Sequence, residues 1–184
     1  AYTKEYDVAT KEETEIKKIH TPDIKTIESL SKFTGLKPNN MGKAVIYTRT
    51  DTNETIIVFI RADREVNETK LRNLFGIDDE ALVPKKVEEN DDITYGFVGP
   101  INLKAKNATI VYDLSLKNEK NLVFGANEID YHYTGVSMSR DLENVNYVDV
   151  SKVDDCDYCP VCGKKSLSIS NGIEVGNIFK LGTK

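Results

Sequence analysis

The stretch KAVIYTRTDTNETIIVFIRA, residues 43–62, contains two runs of β-branched and aromatic residues on either side of a polar turn. Residues 43–49 are typical of a strand, and residues 55–62 form a near-continuous apolar run that suits a strand buried on both faces. The segment 51–54 between them is Asp-Thr-Asn-Glu, which favours a turn. The stretch therefore predicts a β-hairpin.

Helices and further strands flank this hairpin. Capping residues and apolar spacing predict one helix between Thr21 and Gly35 and a second between Asn67 and Gly76. Strand-like segments follow at 108–116, 121–127 and 131–138. This arrangement predicts an α/β (α+β) fold, a mixed β-sheet flanked by a few helices.

Composition limits the class of protein. A chain of 184 residues with 39% hydrophobic residues can bury a core, and no apolar stretch approaches the ~20 residues that span a bilayer, so no membrane contact is expected. Because the net charge is −5, any nucleic acid is expected to be touched only at a short end. The odd, clustered cysteine count favours a reducing, cytoplasmic setting.

The chain divides into three parts by composition. Residues 1–19 are charge-rich and are interpreted as a connecting arm, and residues 20–148 hold the main domain. Residues 149–184 contain the cysteines and a last strand-like segment. The N-terminal segment has no apolar leader, so no secretory signal is expected in the chain as given. Since the chain starts with Ala1 rather than Met, we expect a piece processed or excised from something longer.

The cysteines Cys156, Cys159 and Cys162 resemble half of a zinc site. Structural zinc sites use four ligands, commonly from two separated Cys-x2-Cys pairs, and the second pair is missing here. The prediction is a degenerate knuckle without metal.

Few residues carry catalytic signatures, because the chain has no P-loop and no GxGxxG motif. The loop Gly96-Phe97-Val98-Gly99-Pro100 could polarise a carbonyl through its backbone N–H groups, although an isolated loop of this kind is more often an ordinary turn. Lys43 is either a surface lysine or a cation at a pocket mouth. His132 is interpreted as a half-buried, hydrogen-bonded histidine rather than the base of a serine–histidine pair.

Four passages together resemble the bacterial-type prolyl-tRNA synthetases. They are FIRADREVNETKL (59–71), GFVGPINL (96–103), GANEIDYHYTGVSMSRDL (125–142) and CPVCGKKSLSISNGIEVGNIFKLGTK (159–184). The resemblance covers the editing domain that these enzymes insert between class II motifs 2 and 3, with residues 1–19 as the arm from the catalytic domain. The final passage resembles the strand that returns to that domain. Nothing like motif 2 or motif 3 is present, so the chain is not expected to aminoacylate.

The resemblance implies hydrolysis of alanyl-tRNA(Pro), a product of misactivated alanine. A pocket for proline cannot strongly reject a smaller apolar residue, because missing methylenes are worth only about 1–3 kcal/mol, and a second cavity can then remove the error. The implied partners are the acceptor end of this tRNA and the rest of the synthetase. No cofactor is implied for editing; ATP and Mg²⁺ belong to the full-length synthetase.

The resemblance also implies site residues, which are Lys43, Gly96, Gly99, Pro100 and His132. Lys43 is expected to order the acceptor end or the ester. The N–H groups of Gly96 and Gly99, in a GxxxP loop, are expected to hold the ester carbonyl. His132 is expected to shape a slot for the alanine methyl group, and Arg64 stands at the pocket edge where the family more often has histidine.

Two alternatives stay open from the sequence. A free-standing trans-editing deacylase is one, although the tail GIEVGNIFKLG argues against it. A non-catalytic module that positions the acceptor stem is the other, because catalysis by backbone groups leaves few side-chain signatures.

Overall fold

The computed structural model describes residues 12–85, 92–155, 157–172 and 176. Its strands are β1 (Lys17–His20), β2 (Gly42–Arg49), β3 (Glu54–Arg61), β4 (Leu82–Pro84), β5 (Ala108–Asp113), β6 (Leu122–Gly125), β7 (Tyr131–Val136) and β8 (Tyr147–Val148). Its α-helices are α1 (Ile27–Thr34), α2 (Glu68–Phe75) and α3 (Met138–Asp141). No helix in these ranges is long and apolar enough to cross a membrane.

The strands form a five-stranded and a three-stranded sheet. The larger has the order β4-β2-β3-β5-β8, with β2 and β3 antiparallel and β3 and β5 parallel, and the smaller is antiparallel with the order β1-β7-β6. The predicted hairpin is confirmed, since Gly42 pairs with Arg61 and Arg49 with Glu54. The predicted α/β (α+β) class is confirmed as well, with its strands divided between a mixed and an antiparallel sheet.

Strand β3 is the centre of the core. Ile56, Val58 and Ile60 are buried in one apolar cluster, and Ile57 and Phe59 are buried in another. Side chains alternate between the two faces of a strand, so burial of both sets requires cover on both sides of the sheet. This explains why the sequence of β3 is apolar without alternation.

Helix α2 begins and ends as predicted, whereas α1 begins later than predicted. The N-cap of α1 is Thr26, whose side chain accepts a hydrogen bond from the Ser29 N–H, and the helix ends at Gly35 with φ +70°. The predicted N-cap, Thr21, is wrong because Asp23 adopts φ +60°, a turn conformation that cannot continue a helix. Thr21 is fully buried instead, and its N–H donates to the carbonyl of Asp130.

Described residues on both sides of the main domain pack against it. The last residues of the predicted arm form β1, which pairs with β7, so the sheet extends into the range 1–19. Near the start of the cysteine-containing part, the Val150 N–H donates to Asp113 Oδ1 and its carbonyl accepts from the Asn67 N–H. Cys156 and nearly all of the predicted returning strand lie outside the described residues.

Candidate active site

A cavity of about 360 Å³ lies between the first residues of α1, the start of β2, the loop before β5 and the strands β6 and β7. Its lining residues are Lys25, Thr26, Ile27, Leu30, Gly42, Lys43, Ala44, Val45, Ile46, Lys85, Tyr95, Gly96, Val98, Gly125 and His132. The structure thus brings Lys43, Gly96 and His132 of the predicted site together. Gly99 and Pro100 are buried beside the cavity but do not line it.

Close contact between the two sheets positions this cavity. A Cβ atom on Gly42 would lie 1.9 Å from the ring of Phe124, which is fully buried on β6. Only glycine at this position lets β2 approach β6 so closely. The contact places Lys43, the next residue of β2, opposite the strand pair in which Gly125 lies across from His132.

Lys43 is a half-buried cation at this cavity. Its Nζ atom donates to the carbonyl of Ala62 at 3.3 Å. Burial lowers the pKa of Lys43, and the carboxylates of Glu65 and Asp63 oppose that shift by favouring the charged form. The ammonium keeps further protons with which it could contact a phosphate or an ester oxygen.

The loop from Thr94 to Pro100 brings backbone donors to the cavity. Gly96 adopts φ +83°, where a Cβ atom would also lie 3.0 Å from Cγ of Lys25. The N–H groups of Gly96 and Val98 form no hydrogen bond with any residue that the structure describes. Val98 lines the cavity, so an N–H without an acceptor in the described protein is available to a ligand acceptor there.

Gly99, whose N–H was expected to hold the ester carbonyl, has an acceptor within the protein. Its N–H donates to Oδ1 of Asn127 at 3.0 Å, so this donor is already used inside the protein. A Cβ atom on Gly99 would lie 1.8 Å from the carbonyl oxygen of Gly125, and the small residue therefore lets the loop approach β6. The sequence analysis does not single out Val98, because a GxxxP pattern does not reveal which backbone donors already have an acceptor inside the protein.

His132 is a buried, neutral ring at the cavity wall. Burial lowers its pKa to about 4, so the imidazole carries no charge at neutral pH. Its Nδ1 atom lies 2.6 Å from Oγ1 of Thr21, and its ring meets the ring of Phe97 edge-on at 5.4 Å. Both contacts hold the imidazole in place, which fits the predicted shaping role better than a proton-transfer role.

Two further lysines, Lys25 and Lys85, line the cavity with Lys43. Three lysines beside one cavity are notable in a chain with a net charge of −5. A local cluster of cations suits the phosphates of a nucleic-acid terminus. Isolated lysines carry no sequence motif, so this grouping was missed before the fold was known.

Arg64 does not line the cavity, although it was expected at the pocket edge. Its Nη1 atom contacts the carboxylates of Asp157 at 2.8 Å and Asp154 at 3.3 Å. Arg64 therefore ties the cysteine-containing segment to the main domain. In the described ranges, no group of three or more His, Cys, Asp or Glu residues has a geometry that could hold a metal ion.

The family model described as "Aminoacyl-tRNA editing domain" matches residues 21–141. The chain belongs to this family. The match spans the strands and helix of the cavity, from Thr21 to beyond His132. As an aminoacyl-tRNA editing domain, the chain has its candidate site inside the region that defines the family.

Curated relatives of this editing domain are named proline–tRNA ligases. The chain is 43% identical over 169 residues to that of Sulfurihydrogenibium sp. (strain YO3AOP1) and 41% identical over 174 residues to that of Aquifex aeolicus (strain VF5). These alignments cover 92% and 94% of this chain but only 29% and 30% of the relatives. The predicted resemblance to the editing domain of bacterial prolyl-tRNA synthetases is thereby confirmed.

Two solved structures share the fold of this editing domain. One is a hypothetical protein, APE2540, with a TM-score of 0.62 and 18% identity, covering 75% of this chain and 92% of that chain. The other is described as a putative trans-editing enzyme for prolyl tRNA synthetase, with a TM-score of 0.61 and 12% identity over 75% of this chain and 87% of that one. At such low identity these likenesses concern the fold alone.

Proposed function

We propose that this editing domain hydrolyses the ester of alanyl-tRNA(Pro) as part of a cytoplasmic proline–tRNA ligase. The observation that carries the proposal is the cavity itself, which combines the cation Lys43, a neutral His132 and the N–H groups of Gly96 and Val98, which have no acceptor among the described residues. Membership of the aminoacyl-tRNA editing family supports the reaction class. The relatives' names support proline–tRNA ligase as the parent enzyme.

In the proposed reaction, water attacks the carbonyl carbon of the alanyl ester. Negative charge develops on the carbonyl oxygen, where the N–H groups of Gly96 and Val98 stabilise it. The bond between the carbonyl carbon and the ribose oxygen then breaks, and a proton from the water restores the ribose hydroxyl. The products are alanine and uncharged tRNA, and this chain supplies binding, orientation and hydrogen-bond donors.

Selectivity is proposed to come from the fixed walls of the cavity. Ile27 and Leu30 of α1 contribute apolar side chains, and His132 is held by Thr21 so that its ring cannot swing away. A neutral ring can lie against an alanine methyl group without leaving a charge unpaired. The bulkier proline ring would require these side chains to move, at a cost in transition-state binding.

The tRNA is proposed to contact the domain only at its acceptor end. Lys25, Lys43 and Lys85 would neutralise phosphates near the terminal adenosine, while the rest of the ligase holds the tRNA body. No cofactor takes part in the proposed hydrolysis, and ATP and Mg²⁺ would serve only the synthetic site of the full-length enzyme. The isolated chain is accordingly proposed not to aminoacylate.

The test is incubation of the chain with alanyl-tRNA(Pro), with release of alanine measured against spontaneous hydrolysis. Release well above the spontaneous rate is expected. Binding of the tRNA without any release of alanine would contradict the proposal and would favour a module that only positions the acceptor stem. A prolyl-tRNA(Pro) sample serves as the substrate control.

A further inference from the structure

The loop that carries the proposed ester-binding donors is held from outside the cavity by one side chain, Asn127. This residue follows β6, adopts φ +55° and is half-buried. It does not line the cavity that contains Lys43 and His132, but a second one of about 330 Å³. Asn127 therefore lies outside the cavity that is proposed to hold the ester.

Five hydrogen bonds join Asn127 to the loop. The Gly99 N–H donates to Asn127 Oδ1 at 3.0 Å, and Asn127 Nδ2 donates to the carbonyls of Gly99 at 2.9 Å and Ile101 at 2.8 Å. The Asn127 backbone N–H donates to the Phe97 carbonyl at 2.8 Å, and its carbonyl accepts from Oγ1 of Thr94 at 3.2 Å. Both amide protons of the side chain and its oxygen are used.

These bonds have a geometric consequence for the donors at the cavity. Phe97 and Gly99 are held on either side of Val98, so the direction of the Val98 N–H depends on the bonds to Asn127. The Gly99 N–H also fixes which end of the Asn127 amide faces it, because only the amide oxygen can accept a hydrogen bond. No other residue type offers one acceptor and two donors on so short a side chain and also tolerates a positive φ.

We infer that Asn127 is a positioning residue for ester hydrolysis: its side-chain amide sets the loop that aims the Val98 and Gly96 N–H groups at the ester carbonyl. The inference rests on the proposed function. Donors that stabilise developing charge act only when they are fixed before the reaction, and a displacement of about 1 Å can lower a rate about 100-fold. Asn127 is thus expected to affect kcat more than KM.

The test compares the Asn127→Gly and Asn127→Asp chains with the wild-type chain and an Asn144→Gly control. Glycine keeps the positive φ and the backbone bonds but removes the amide, and aspartate keeps the acceptor for the Gly99 N–H but loses both donors. Asn144 also has a positive φ (54°), is exposed, and forms no side-chain hydrogen bond with a described residue. The two readouts are alanine release from alanyl-tRNA(Pro) and hydrogen exchange of the Gly99 N–H.

Both Asn127 variants are expected to lower kcat about tenfold or more while KM changes less than about threefold. Asn127→Gly, which removes the acceptor, is also expected to speed exchange at Gly99. The Asn144→Gly chain should match the wild type in both readouts. Unchanged kcat in folded Asn127 variants, or unchanged exchange at Gly99 in the Asn127→Gly chain, would overturn the inference. A wild-type chain that releases no alanine, combined with faster exchange in the variants, would instead overturn the proposed function and leave Asn127 only as a structural support of the loop.

Discussion

The Nδ1 atom of His132 and the Oγ1 atom of Thr21 lie 2.6 Å apart although the two residues are 111 positions apart in sequence. Thr21 is fully buried, and 4% of the surface of His132 is exposed. This contact joins the segment before α1 to β7 at the wall of the cavity. The contact fixes the ring in place and burial keeps it uncharged, and two predictions depend on these properties of His132.

The first prediction concerns stability against pH. Burial lowers the pKa of His132 to about 4 in the folded chain, whereas an unfolded histidine titrates near its ordinary value of 6.5. Between these values the unfolded chain binds the proton and the folded chain does not, so the free energy of unfolding falls as pH decreases from about 6.5 to about 4. At about 1.4 kcal/mol per pKa unit, the full loss is about 3 kcal/mol.

Urea unfolding at about pH 7.5, which lies above this window, and at about pH 6 and about pH 5, which lie within it, measures the effect. The His132→Ala chain should lose this part of the pH dependence, and the His20→Ala chain, which removes an exposed histidine, should keep it. An identical pH dependence in wild type and His132→Ala would show that His132 is not held neutral by burial.

The second prediction concerns selectivity. Truncation of His132 to alanine removes a ring from the cavity wall and leaves space for a larger amino acid. We expect His132→Ala to raise hydrolysis of prolyl-tRNA(Pro) relative to alanyl-tRNA(Pro) by about tenfold or more, since a few carbon atoms of steric room change selectivity on this scale. The two esters are compared by kcat/KM. A selectivity equal to that of the wild type would show that the His132 ring does not shape the cavity that selects the amino acid.

The third prediction concerns the cation at the cavity. Lys43→Ala removes a half-buried ammonium, and we expect kcat/KM for alanyl-tRNA(Pro) to fall about tenfold or more because a charged hydrogen bond to the substrate is lost. The Lys37→Ala chain is the matched control, since Lys37 is exposed and outside the cavity. An equal fall in kcat/KM in the two variants would indicate that both lysines only attract the tRNA by their charge. Lys43 would then have no specific role at the cavity.

The fourth prediction separates packing from chemistry at Gly99. A Cβ atom there would lie 1.8 Å from the backbone oxygen of Gly125, which cannot turn aside as a side chain can. Gly99→Ala should therefore destabilise the chain by about 1–3 kcal/mol and lower hydrolysis, although Gly99 does not line the cavity. Gly172→Ala, where a Cβ would meet nothing within 4 Å, should do neither. A fully stable Gly99→Ala chain would contradict the close approach of the loop to β6.

The elements that depend on local sequence were predictable. The hairpin of β2 and β3 follows from two apolar runs around a turn, and α2 follows from a cap at Asn67 and a stop at Gly76. The start of α1 was not predictable, because Thr21, followed by proline and aspartate, has the pattern of an N-cap. What decides its conformation is a buried partner, His132, on a strand far along the chain.

The sequence pointed to candidate site residues only where the family resemblance identified them. Lys43, Gly96 and His132 are such candidates, and the fold brings them to one cavity. The direction of a backbone N–H depends on long-range contacts, so the sequence could not distinguish Gly99, whose donor is used by Asn127, from Val98. Distinguishing the two N–H groups requires the three-dimensional path of the loop that contains Val98 and Gly99.

The most direct test of the account is the ratio of kcat/KM for alanyl-tRNA(Pro) to that for prolyl-tRNA(Pro). Both values are measured with the wild-type chain at the same salt concentration and pH. Steric selection by the cavity predicts a ratio of about 10 or more in favour of the alanyl ester. Hydrolysis of both esters at similar rates would contradict it, because the walls formed by Ile27, Leu30 and His132 would then exclude nothing.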